Sequence, residues 1–214
     1  MAATDPPTTS PATGDAPGAV RLRLEPPADP TVAGRVSTRY PDVAPSYLEA
    51  ITEHDPTGVV LGGINVGPRR VEGRRYDLLD ALVSVNDARF STYLDGLPPV
   101  DELLEVGSIG ADPVLVAMAG AKEHEAGAVY RWSASRPDEG AERVGASYGD
   151  VLRLAARVDE LVVDTTELRV TQRAARARLD LLLDAWEDPA TRTWWRRRVL
   201  LDLDAVAADH REPW

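Results

Sequence analysis

Two neighbouring stretches decide the fold: GAVYRW, residues 127–132, and VGASYGDVLRL, residues 144–154. In the first, a glycine leads into β-branched and aromatic residues, the composition of a strand. Alternation sets Val129 and Arg131 on one face and Ala128, Tyr130 and Trp132 on the other, and the aromatic face is expected to meet the core. In the second, Ser147 stands where a helix N-cap belongs, with Asp150 three residues on. Tyr148, Val151, Leu152, Ala155, Val158 and Val162 then recur every three or four residues, so a strand runs directly into a capped amphipathic helix.

Working outward, LLEVGSIG (103–110), PVLVAMAG (113–120) and ERVGAS (142–147) read as further short strands. Turn formers such as Ala111-Asp112-Pro113 and the polar loop from Ser133 to Gly140 separate them, and connections this short favour antiparallel neighbours. Upstream, Ser46 is the expected cap of a helix over 47–54, with Tyr47, Leu48 and Ile51 on one face. VVLGGINVG (59–67) reads as a strand with a bulge or a close backbone approach at Gly62 and Gly63, GPRRVEGRR (67–75) as an exposed turn, and 77–86 as a second helix. Downstream, helices are predicted over 166–187, with Leu168 on the apolar face, and from Asp188-Pro189, where the proline suits the first helical position. The fold class is therefore α+β, a mostly antiparallel sheet flanked by helices with a helical C-terminal extension.

Residues 1–30 hold seven of the seventeen prolines and no aromatic side chain, and so predict a disordered tail. Residues 31–163 form the expected α+β domain and 164–214 the helical extension. The chain has no cysteine, which excludes disulfides, thiolate metal sites and thiol catalysis. The N-terminal stretch lacks a basic start and an apolar block, and no run of apolar residues is long enough to cross a bilayer, so a cytoplasmic protein is expected, with no membrane partner. Of the 24 basic residues only Lys122 is a lysine, a bias that suits a GC-rich bacterial genome.

The net charge of −11 is uneven: residues 95–150 carry eleven acidic side chains against four basic, whereas residues 151–214 carry twelve against eleven. An acidic middle repels nucleic acid and attracts a basic protein. Candidate partner contacts are Asp101, Glu102, Glu105, Asp112, Glu123, Glu125, Asp138 and Glu139.

Taken in order, APSYLEAI (44–51), VGSIGADPVLVAMAG (106–120), GAVYRW and GASYGDVLRLAA (145–156) resemble the SUKH superfamily, which includes the fungal cell-wall assembly regulator and many bacterial immunity proteins. The residues that carry the likeness are Tyr47, Gly110, Gly127, Tyr130, Trp132, Ser147 and Tyr148. The chain departs from the pattern where Ala44-Pro45 replaces the usual Leu-Pro and where the last 50 or so residues have no counterpart. The resemblance implies a binding module without catalysis, an immunity protein that neutralises the toxin of a polymorphic toxin system, such as a nuclease with a basic cleft.

Two other classes remain open. TWWRRRVLL (193–201) sets aromatics beside three arginines, a combination that can stack on bases and contact phosphates, so nucleic-acid association through this helix is the rival reading. The opposing expectation is that Trp195, Val199, Leu203 and Val206 share a buried face or a homodimer interface and that Arg198 pairs with Asp202. A housekeeping regulatory scaffold with no toxin is the third. No catalytic constellation is recognisable: the histidines, His54, His124 and His210, are scattered, and the LGGINVG glycines lack a phosphate-loop ending. Ser147 has no nucleophile elbow around it. No enzyme activity, metal or cofactor is expected.

Overall fold

The computed structural model describes residues 24–68, 77–88, 97–186 and 188–209. Its helices are α1 (Val32–Arg39), α2 (Pro45–Glu53), α3 (Leu78–Ala88), α4 (Tyr148–Thr166), α5 (Gln172–Asp184) and α6 (Pro189–Asp209). Its strands are β1 (Val60–Leu61), β2 (Ile64–Asn65), β3 (Leu103–Ile109), β4 (Asp112–Ala117), β5 (Val129–Trp132) and β6 (Ala141–Gly145). The strands form one six-stranded sheet in the order of the chain, each antiparallel to the next. The fold is α+β, as the alternation of strand and helix patterns predicts.

All four strands read between residues 103 and 147 are present. The VVLGGINVG stretch is a hairpin, not one bulged strand, but the close approach expected of its glycines is there: a Cβ at Gly62 would lie 2.9 Å from Val158 Cγ1 on α4. Gly62 and Gly63 both take positive φ, 54° and 74°, which two successive glycines allow at little steric cost and which closes β1 onto β2 in two residues.

The core also departs from the alternation reading. Val129 points into the large core, with Leu104, Val106, Val114, Val116 and Val144 from the sheet and Tyr47, Ile51, Leu82, Tyr148, Leu152, Trp195 and Val199 from the helices. Ala128, Tyr130 and Trp132 build a second, smaller cluster with Leu103, Leu115 and Ala117 on the other side of the sheet. The central strands are buried on both faces, so choosing between faces from one strand was bound to miss half the packing.

Helix α2 starts two residues earlier than predicted. Pro45 sits at the first helical position and Ala44, in extended backbone, at the cap, so the preset φ of proline displaces Ser46 from the capping role. Ser147 does cap α4, its Oγ accepting the Asp150 N–H at 3.2 Å. Asp188 caps α6 as expected, accepting from Ala190 N–H at 3.0 Å.

The helix predicted over 166–187 is shorter than its pattern, running only from Gln172 to Asp184. α4 runs on to Thr166, and α5 begins only at Gln172, behind a Thr171 cap that accepts the Ala174 N–H. Between them Leu168, assigned to an apolar face, sits at φ 56° and is 71% exposed. The reason is local: the Glu167 N–H bonds Val163 C=O and the Arg169 N–H bonds Asp164 C=O, a closure that needs a left-handed residue at the helix end whatever its side chain.

Residues 24–30 of the predicted tail are held in place: Leu24 is buried, and the Asp55 N–H donates to Glu25 C=O at 2.8 Å. Residues 1–23, most of the predicted exposed turn over 67–75, and His210 lie outside the described residues. The C-terminal helices pack on the same core as the sheet: Ala175, Leu179, Leu183, Trp195, Val199 and Leu203 all belong to the large cluster.

Candidate functional site

The residues that carry the motif series form a scaffold. Tyr47 on α2 and Tyr148 on α4 meet edge to face, ring centroids 4.8 Å apart, and the Tyr148 hydroxyl donates to Val66 C=O. Both phenols are held far above the usual tyrosine range, chiefly because burial penalises the phenolate; neighbouring Tyr40 and Asp55 add to the effect at Tyr47, and Tyr47 and Asp55 add to it at Tyr148. Gly127 must be glycine: its φ is 80°, and a Cβ there would lie 2.8 Å from Ser46 Oγ. The glycine that leads the aromatic strand is thus where α2 presses on the sheet. Gly110, at φ 62°, makes the tight β3–β4 turn. Tyr130 accepts the Glu125 N–H through its hydroxyl at 3.1 Å and stacks edge-on with His124 at 4.8 Å, and Trp132 lies in the smaller core.

The eight candidate acidic residues do not form one surface. Asp112, Asp138 and Glu139 sit at the end of the sheet that holds the β3–β4 turn and the β5–β6 loop. Asp112 is spent on structure, pairing with Arg131 and accepting the Ala134 N–H, and Glu139 pairs with Arg136 at 2.7 Å. Glu105 lies half-buried within β3, opposite Leu115 of the smaller core.

At the other end stand Asp101, Glu102, Glu123 and Glu125. Glu125 pairs with Arg143 at 2.6 Å, and Glu102 Oε2 accepts the Lys122 N–H at 2.9 Å, which ties the start of β3 to the β4–β5 loop. Asp101 and Glu123 are exposed and have no ion-pair partner among the described residues. The Ala119 N–H donates to Asp42 C=O at 2.7 Å, so the loop after α1 joins this end, and Asp42, Asp87 and Asp101 line a cavity of about 270 Å³ with Tyr40, Val100 and Met118. Arg39 is the cation on this rim, 3.4 Å from Asp87. Asp42 and Asp87 fall outside the acidic stretch of the sequence, and only the folded chain brings them to it.

The arginine-tryptophan helix is committed inward. Trp194 and Trp195 are 3% and 0% exposed, the Trp195 indole N–H donates to Val144 C=O at 2.9 Å, and neither ring offers a face to a base. Arg196 meets Asp180 at 2.9 Å, Arg197 meets Glu142 at 2.9 Å, and Arg198 pairs with Asp202 as the spacing predicts. Among the described residues no helix is long and apolar enough to cross a membrane, and no three of His, Asp and Glu gather as a metal site. No family model matches the chain, and no curated protein or solved structure matches it significantly.

Proposed function

We propose that the chain is a non-catalytic protein-binding module, an immunity-type protein that binds and neutralises a cognate toxin with the acidic end of its sheet. One observation carries the reading: Asp101 and Glu123 stand exposed with no ion-pair partner among the described residues, Asp101 in the same cavity as Asp42 and Asp87, while the three arginines of the Arg-Trp helix meet carboxylates. An unneutralised carboxylate attracts over several ångströms in a way that an internally paired one does not, so this end steers a basic partner such as a nuclease cleft. The order of the motif residues, which resembles that of SUKH immunity proteins, supports the same class. The buried indoles and paired arginines of α6 weigh against nucleic acid as the ligand.

The test is to express the chain with the product of the neighbouring gene. The expected results are co-purification of the two and rescue of cells that the product alone kills. Absence of both would sink the proposal, and binding without rescue would leave the scaffold reading in its place.

A further inference from the structure

On α4, Arg157, Glu160, Leu161 and Asp164 recur at the spacing of one helical face, and Arg178, Leu181 and Leu182 on α5, with Ala185 at its C-cap, repeat that spacing. These two rows, with Trp186 at the end, wall a cavity of about 650 Å³. Its centre is apolar: Leu181 is 73% exposed, the most exposed large apolar side chain among the described residues. Its rim carries two cations and two anions in loose contacts within the chain: Arg157 lies 3.9 Å from Glu160, and Asp164 lies 3.6 Å from Arg178 and 3.7 Å from Arg169 of the α4–α5 loop.

We propose that this groove is the interface of a two-fold homodimer, in which Leu181 of each copy enters the groove of the other and two α4–α5 hairpins pack as four helices. The charges select this occupant. Arg157 and Asp164 lie two turns apart on one face, about 10.5 Å along the axis. An antiparallel two-fold between Glu160 and Leu161 sets Arg157 against the partner's Asp164, and by symmetry repeats the contact. The net charge settles the same choice: two chains of −11 repel wherever their acidic surfaces meet, and this rim is locally neutral. A basic partner is drawn to the opposite kind of surface, and a polyanion gains nothing here.

α5 is thirteen residues long, about 20 Å, so the buried face is small and the dimer reversible, with a dissociation constant on the order of 10 µM. Sedimentation of the full chain from 1 to 100 µM is expected to shift from one chain of 23.2 kDa towards two. Leu181→Asp is expected to abolish the shift, leaving circular dichroism and melting unchanged because the side chain lies outside the core. Arg157→Glu is expected to weaken association about tenfold, the loss of one well-placed contact repeated by symmetry. Arg157→Glu with Asp164→Arg is expected to restore it, even though the swap turns the intrachain pairs with Glu160, Arg169 and Arg178 into like charges. A monomer at 100 µM, a dimer indifferent to Leu181→Asp, or a double variant no better than the single would each overturn the proposal.

Discussion

Tyr47 and Tyr148 share one core and face each other, yet their hydroxyls fare differently. Tyr148 donates to Val66 C=O, whereas the Tyr47 hydroxyl is buried with no partner among the described residues. A buried unpaired hydroxyl costs roughly 1–3 kcal/mol, so Tyr47→Phe is expected to leave stability equal or raise it by up to about 2 kcal/mol, measured by urea unfolding; a clear loss would place a hydrogen bond on that oxygen. The pair also sets an alkaline limit. Each phenol has a folded pKa raised above its unfolded value near 10, so its neutral form stabilises the fold fully below about pH 10. Above that pH the unfolded chain ionises first and stability falls, by about 1.4 kcal/mol per pH unit for each buried phenol. Tyr47→Phe is expected to halve the slope that the pair contributes between about pH 10 and 12; an unchanged slope would mean that Tyr47 is not buried as a phenol in the folded chain. Both tyrosines were legible as core positions, because helical periodicity alone puts them on an apolar face. The Val66 partner was not, since it lies 82 residues from Tyr148.

Among elements, α6 does the most that its own sequence conceals. Its Trp195 indole N–H occupies Val144 C=O on the edge strand β6, and both residues are buried, so without the indole that acceptor would be left unpaired in the core. Trp195→Phe keeps most of the ring and removes the donor, and is expected to cost about 1–3 kcal/mol. Hydrogen exchange should quicken in β6 more than in β3 or β4, and uniform loss of protection would mean that the ring, rather than the bond, secures the edge. The spacing of Trp195 with Val199 and Leu203 reads as one apolar face, core or dimer interface, and in the fold that face lies in the core. What the spacing could not give was the target of the indole, and the same limit explains the late start of the helix predicted over 166–187. Leu168 continues an apolar pattern that a backbone closure between Val163 and Arg169 interrupts, and such closures are written in hydrogen bonds, not in hydrophobicity. The Gly62-Gly63 hairpin was misread for the opposite reason: a doubled glycine permits a turn and a bulge alike, and only the pairing of Val60 with Asn65 decides.

For the whole molecule, the uneven charge was legible by counting, and its consequence depends on which carboxylates the fold leaves unpaired. Of the eight read from sequence, Asp112, Glu125 and Glu139 are held by arginines, and Asp42 and Asp87 join the acidic end only through tertiary contacts. With the captured toxin as probe, Asp101→Lys combined with Glu123→Lys is expected to slow association about tenfold at low salt, and the difference should vanish as salt rises. A double variant that associates as fast as the native chain would remove this end from the interface. The sheet, finally, is threaded in chain order from β1 to β6, and every strand has its neighbour as soon as it is made. The core is not closed by then: Trp195, Val199 and Leu203 arrive on α6, more than 50 residues after β6 begins. On the ribosome, which hides the most recently joined stretch, the growing chain must carry an assembled but unsealed sheet until α6 emerges, so that helix sets the moment at which the sheet becomes safe from aggregation and proteolysis.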